Sequence, residues 1–187
     1  MYYLLQLKLY LLIKYYNRFL QTYFLLHDPE INDNLVVVSP DVGGIKMARS
    51  YAKRLHADLV VIDKRRPKQN LAEVVHIIGS VEDKDVLLVD DLIDTAGTFI
   101  GAIEALKTKG AKDIYGAITH PLLSGRAIER INNSQIKKLF VSDTIPLSKE
   151  TDTDKISVIT ASDIFAEAIK RTYHNESISS LFDIDKS

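Results

Sequence analysis

At 187 residues, with 46% apolar and 26% charged side chains, the chain is long enough to bury one sizeable core and has the composition of an ordinary globular domain. Its 24 basic and 25 acidic residues are mixed along the chain and leave a formal net charge of -1. That balance argues against a general electrostatic grip on nucleic acid, so any anion must be bound locally. Cysteine is absent, which excludes a disulfide framework and a thiolate zinc site and makes the cytoplasm the simplest expected location.

The first 26 residues, "MYYLLQLKLYLLIKYYNRFLQTYFLL", are rich in Leu and Tyr and end at the breaker cluster "HDPEINDN". Lys8, Lys14 and Arg18 interrupt any run long enough to span a bilayer. Leu9, Leu12, Ile13, Tyr16, Phe19, Leu20 and Tyr23 fall at three-and-four spacing, which predicts an amphipathic helix on a core or a partner, with a membrane-surface helix as the other reading. Residues 1–33 are therefore an atypical helical N-terminal extension, and residues 34–187 one further domain.

From residue 35 short aliphatic runs alternate with helix-length segments, the pattern of a mostly parallel sheet flanked by helices, an α/β fold. The expected strands are 35–38, 59–62, 86–89, 114–119 and 138–141. The expected helices are 45–55, 98–109, 124–131 and 161–172, with Gly110 as a C-terminal stop for the second. Unalternated apolar runs predict strands covered on both faces, and in such sheets ligands sit at the carboxyl ends of the strands.

Three of those ends carry unusual polar stretches: "SPDVGG" (39–44), "DKRRPK" (63–68) and "DDLIDTAGT" (90–98). In the last, Asp94, Thr95, Ala96, Gly97 and Thr98 lie between a strand and a helix. That arrangement supplies backbone N–H groups, hydroxyl donors and the positive end of a helix dipole, a cradle for phosphate. Neither a Walker loop nor a Gly-x-Gly-x-x-Gly fingerprint is present. Asp90 and Asp91 repel one another at the edge of a core, which calls for a vicinal diol or a divalent cation as compensation. The plainer alternative is that Asp94 or Thr95 caps the helix and the acidic pair is a solvated strand end. For Asp41, a hard-cation ligand and a turn residue capping the next helix are equally open. Four cations in "DKRRPK" by themselves read as a solvated loop. His76, His120 and His174 lack ligand spacing and are left unassigned.

Taken together, "VVVSPDVGGIKMAR", "VIDKRRPKQNLAEVVHIIG" and "VDDLIDTAGT", continued by "THPLLSG", "VSDTIPL" and "AEAIKRTYHNESISSLF", resemble the ribose-phosphate diphosphokinases, the synthetases of phosphoribosyl pyrophosphate. The resemblance covers residues 34–182 and implies a type I phosphoribosyltransferase-like fold. It implies a ribose 5-phosphate site on Asp90, Asp91, Asp94, Thr95, Ala96, Gly97 and Thr98, a magnesium ligand at Asp41, and Mg2+ as cofactor. Lys64 and Arg66 fall where the family's mobile loop stabilises the transferring diphosphoryl group, and Met47 stands where many relatives carry a basic residue.

The resemblance reaches only the second of the family's two similar domains. The other carries a metal-binding histidine and most of the residues that hold ATP. Three functions follow as expectations. The first is ribose-phosphate diphosphokinase activity by descent, truncated and weak or absent in isolation, with ribose 5-phosphate and ATP as substrates. The second is a non-catalytic regulatory partner of a full-length synthetase, and the third a single-domain phosphoribosyltransferase. A homo-oligomer, or a hetero-oligomer with a synthetase, is expected, with no nucleic acid and no membrane as partner.

Overall fold

A computed structural model of the chain describes residues 34–65, 74–148, 151 and 153–178. Within them a sheet of seven strands runs in the order β3-β2-β1-β4-β5-β6-β7. The strands are β1 (Leu35–Ser39), β2 (Asp58–Arg65), β3 (Val74–Ile78), β4 (Asp85–Ile93), β5 (Ile114–Pro121), β6 (Lys138–Ser142) and β7 (Ile156–Ile159). All neighbours are parallel except β2 and β3, which pair antiparallel with Asp63 opposite His76. The helices are α1 (Ile45–Arg54), α2 (Gly97–Thr108), α3 (Ala127–Asn133) and α4 (Ser162–Tyr173).

The unalternated runs are buried on both faces, as their composition requires. On one face Val36, Val38, Val86, Leu88, Ile114 and Ile118 pack against Phe99, Ala102, Ile103 and Leu106 of α2 and Ala127 and Ile131 of α3. On the other, Leu35, Val37, Leu87, Val89, Tyr115 and Ala117 meet Ala48, Tyr51 and Ala52 of α1, with Ala161 and Phe165 at α4. Alternate residues of each strand thus serve opposite layers, and the loops that follow β1, β4, β5 and β6 emerge at one edge of the sheet.

The five expected strands and four expected helices are present, and the differences have local causes. β3 and β7 were not anticipated. "ISVI" forms an edge strand of four residues, and "VVHII" exists as a strand through its long-range pairing with β2. β2 runs on through Lys64 to Arg65, so half of "DKRRPK" is strand rather than loop. β4 runs to Ile93 and takes Asp90 and Asp91 into the sheet, where Asp90 stands opposite Ile118 and Leu92 opposite His120. The third helix begins at Ala127 instead of 124, because Leu123 and Gly125 have left-handed backbones (φ 49° and 58°) that no helix accommodates. Residues 1–33 and Arg66, with the expectations that rest on them, lie outside the described residues. No helix among the described residues is long and apolar enough to cross a membrane.

Candidate functional site

The turn after β1 is built around Asp41. The buried Ser39 hydroxyl donates to the Asp41 carbonyl at 2.7 Å, and the Gly44 N–H donates to the Asp41 carboxylate at 2.9 Å, immediately before α1 starts. A Cβ on Gly44 would lie 2.7 Å from Ser39 Oγ, so only glycine lets the chain pass this closely. The turn role considered for Asp41 is therefore present, although no side chain caps α1 itself. It engages Oδ1 and leaves the second oxygen of the carboxylate outside that bond. Met47 packs partly buried against the α1 side of the core.

At the end of β4, Asp90 is partly buried and Asp91 exposed. The Asp91 N–H donates to Asp90 Oδ1 at 2.9 Å. Burial pushes the Asp90 carboxyl up from the ordinary 3.8 to about 7; the negative charges of Asp91 and then Asp41 add to the rise, and the Asp91 N–H opposes it. The Asp41 carboxylate is thus close enough for its charge to be felt at Asp90, which brings the ends of β1 and β4 into one site. The two members thus differ: Asp90 is held where its charge is costly, while Asp91 is solvent-exposed.

Six residues after Asp90, Ala96 adopts the left-handed conformation (φ 62°, ψ 2°) and is buried, and α2 begins at Gly97 with its first intrahelical bond from Ile100 N–H to the Ala96 carbonyl at 2.9 Å. A non-glycine residue in this region stores strain of order 1 kcal/mol, which persists where the surroundings fix it and which clusters at binding sites. No side chain caps the helix, so the alternative in which Asp94 or Thr95 serves as the cap does not hold. The Asp94 carboxylate instead accepts from the Ser124 hydroxyl, and the Asp94 carbonyl accepts from the Ser124 N–H at 3.1 Å. The N–H groups of the first helical turn have no intrahelical partner, and Thr95, Gly97 and Thr98 are exposed around them. The geometry is that of an anion cradle.

Residues that no local pattern singles out complete the edge. Arg130 Nη1 donates to the Thr95 carbonyl at 2.6 Å. At the ends of β5 and β6, Thr144 Oγ1 lies 2.9 Å from His120 Nδ1, 2.6 Å from Ser142 Oγ and 2.9 Å from the Thr119 carbonyl, to which Ser142 Oγ also donates. The Thr119 carbonyl can only accept. The two hydroxyls therefore turn toward it, and Thr144 Oγ1 holds the His120 ring at this edge. Apart from the local Ser142–Thr144 contact, these join residues 23 to 35 positions apart, and no local spacing signals them. Of the remaining expected residues, Lys64 lies on β2 opposite Val75, and Arg66 is outside the described residues.

The oxygen set suits a small hard cation. Asp41 and Asp90 bring two carboxylates within Coulombic reach, and a positive charge there would relieve the like-charge repulsion that raises Asp90. No group of three or more His, Cys, Asp or Glu side chains converges among the described residues. A cation held here would accordingly take most of its ligands from substrate and water, as Mg2+ does.

A family model described as the phosphoribosyl synthetase-associated domain matches residues 64–183. The ribose-phosphate pyrophosphokinase of Chlorobaculum tepidum is 56% identical over 154 residues, 82% of this chain and 47% of its own length. That of Caldanaerobacter subterraneus is 53% identical over 163 residues, 87% of this chain and 51% of its own. The chain thus spans about half the length of the curated relatives it matches. Among solved structures, a phosphoribosylpyrophosphate synthetase from Mycobacterium smegmatis aligns with a TM-score of 0.77 at 31% identity, covering 85% of this chain and 51% of that one. An APRTase from Giardia lamblia aligns with a TM-score of 0.53 at 20% identity over 65% of this chain and 75% of that one, a likeness of fold alone. The architecture is the type I phosphoribosyltransferase-like α/β fold.

Proposed function

The chain belongs to the family of the phosphoribosyl synthetase-associated domain, and from that premise we propose that it is the sugar-phosphate half of a ribose-phosphate diphosphokinase. The observation that carries this reading is the continuous path from the Asp90–Asp91 pair into the strained, uncapped turn at Ala96, with Asp41 beside it. Asp90 and Asp91 accept hydrogen bonds from the ribose diol, and the Asp94–Thr98 segment takes the 5-phosphate on its N–H groups and hydroxyls. With a carboxyl near 7, Asp90 exchanges its proton at neutral pH and can either accept from a hydroxyl or donate to an oxygen.

In the reaction proposed, the anomeric oxygen forms a bond to the β-phosphorus of ATP while the α,β-bridging P–O bond breaks. AMP leaves, and the hydroxyl proton passes to solvent. This step needs positioning and positive charge more than covalent help from the protein. Asp41 and Asp90 would hold Mg2+, which supplies charge neutralisation at the diphosphoryl oxygens. Lys64 and Arg66 are proposed to add positive charge, as the family resemblance implies. A second reading, a non-catalytic regulatory partner of a full-length synthetase, keeps the same sugar-phosphate site.

Calorimetric titration with ribose 5-phosphate in Mg2+ tests the site: saturable binding by the purified chain is expected, and none at millimolar ligand would refute it. Mixing with a full-length synthetase then separates the readings by whether AMP formation changes. Diphosphate release from phosphoribosyl pyrophosphate and a nucleobase would instead establish a phosphoribosyltransferase.

Gly97 offers a sharper test. A Cβ there would meet nothing closer than Arg130 Nη1 at 3.8 Å and Thr95 Oγ1 at 3.9 Å, so Gly97→Ala is accommodated by the protein. Alanine is the better helix former by roughly 0.5–1 kcal/mol. The expected outcome is an unchanged or raised Tm together with about tenfold weaker ribose 5-phosphate binding, since the new methyl occupies space at the mouth of the cradle. Unaltered affinity would move the phosphate elsewhere.

A further inference from the structure

We propose that Arg130 is a positioning residue of the sugar-phosphate site, its guanidinium holding the Thr95 carbonyl and so setting the peptide planes of the phosphate turn. The proposal rests on the functional reading above and adds to it a residue from another element.

Three observations lead there. The first is the charge of the segment: "DDLIDTAGT" carries three carboxylates and no cation, an unfavourable surrounding for a phosphate dianion unless a cation is brought from outside the segment. Arg130, 35 residues on, donates from Nη1 to the Thr95 carbonyl at 2.6 Å, and the same nitrogen lies 3.8 Å from the position of a Cβ on Gly97.

The second is the disposition of the neighbouring charges on α3. Glu129 is taken in bidentate fashion by Arg126, with Nε–Oε2 at 2.7 Å and Nη2–Oε1 at 2.6 Å, and this pair holds its carboxyl below the usual range. The acid next to Arg130 in sequence is thus engaged elsewhere, and Arg130 is directed onto the turn. Ordering an exposed arginine costs side-chain entropy, and the Thr95 carbonyl is what it meets.

The third is the turn's own geometry. Ala96 is left-handed, a conformation its side chain disfavours. In a planar trans peptide the C=O and N–H point in opposite directions. Fixing the Thr95 carbonyl on the guanidinium therefore fixes the Ala96 N–H on the side away from it. Without that bond the Thr95–Ala96 peptide is free to rotate, and a carbonyl turned toward the anion would repel it. Ser124 secures the other end of the same turn through both the backbone and the carboxylate of Asp94.

The experiment compares the wild-type chain with Arg130→Ala and Arg130→Lys by calorimetric titration with ribose 5-phosphate, by thermal melts, and by 15N–1H spectra of the ligand-free proteins. In Arg130→Ala, affinity is expected to fall about tenfold, the loss of one charge-assisted hydrogen bond. The Tm should stay within about 2 °C, as for a surface change, and the amide signals of Ala96, Gly97 and Thr98 should shift while those of the remote Ser157 stay fixed. Lysine, which keeps the charge and a donor, should recover most of the affinity. Wild-type affinity in Arg130→Ala, or unmoved turn amides, would overturn the proposal. So would a fall in Tm paired with lost binding that lysine does not rescue. A wild-type chain that binds no ribose 5-phosphate would remove the functional reading itself, and the proposal with it.

Discussion

Replacing Asp90 with asparagine is expected to stabilise the ligand-free protein at pH 8 while weakening ribose 5-phosphate binding by about 10- to 100-fold. The carboxyl is pushed up to about 7 in the folded chain, by burial first and then by Asp91 and Asp41; in the unfolded chain it titrates near 4. Between those values the folded state binds the proton that the unfolded state has released, so stability falls as pH rises from about 4 to about 7 and stays low above. Asparagine never ionises and escapes that loss. After discounting for solvent screening at a partly exposed carboxylate, a gain of ~1 kcal/mol at pH 8 corresponds to ~2–4 °C in Tm for a domain of this size. At pH 4 the gain should vanish. Melts of both proteins from pH 4 to pH 8 would show the gap widening through this window, and a constant gap would mean that Asp90 titrates normally. The affinity loss follows from removing a charged acceptor worth ~1.5–3 kcal/mol to a hydroxyl. Stability and binding thus oppose one another at this residue, as expected where a charge is retained for a ligand.

Gly116→Ala is expected to lower the Tm by ~3–10 °C and to weaken ribose 5-phosphate binding although it touches no ligand. Gly116 lies within β5, and a Cβ there would come 2.6 Å from Leu139 Cδ1, 2.8 Å from Phe99 Cζ and 3.3 Å from Ile136 Cδ1. All three neighbours are buried, and overpacking a core in this way costs ~1–3 kcal/mol, or ~2–4 °C per kcal/mol here. The functional consequence comes from Phe99, the third residue of α2. To admit the methyl its ring must move, and the first turn of α2 carries the phosphate cradle at its start. A melt combined with titration checks both. A fall in Tm without a change in affinity would mean that the strain is relieved through Leu139 and Ile136 instead.

How much of this was legible follows from the range of the interactions. The runs "LVVV", "LVVI" and "VLLV" announce strands buried on both faces because their apolar character is continuous over the local chain. The acidic pair and the Asp-Thr-Ala-Gly-Thr turn announce a polar ligand because both lie within nine residues. What lay between distant residues was not legible. "VVHII" becomes a strand by pairing with β2, and the length of β4 past its apolar run is set by its partners in β5. For Asp41 the turn role became visible only in three dimensions, where one oxygen serves the turn and the charge reaches Asp90.

The chain's own order of residues determined the α/β class, the sheet edge where the polar stretches gather and the turn proposed to hold phosphate, because hydrophobic periodicity and turn chemistry act over a few residues. Only the tertiary structure decided that Asp90 is pressed to an abnormal carboxyl, that Ala96 is held left-handed, that Arg130 and Ser124 hold the turn at Thr95 and Asp94, and that His120 pairs with Thr144. Those properties arise from burial and from contacts between elements 24 or more residues apart, and desolvation and orientation exist only once the layers have packed.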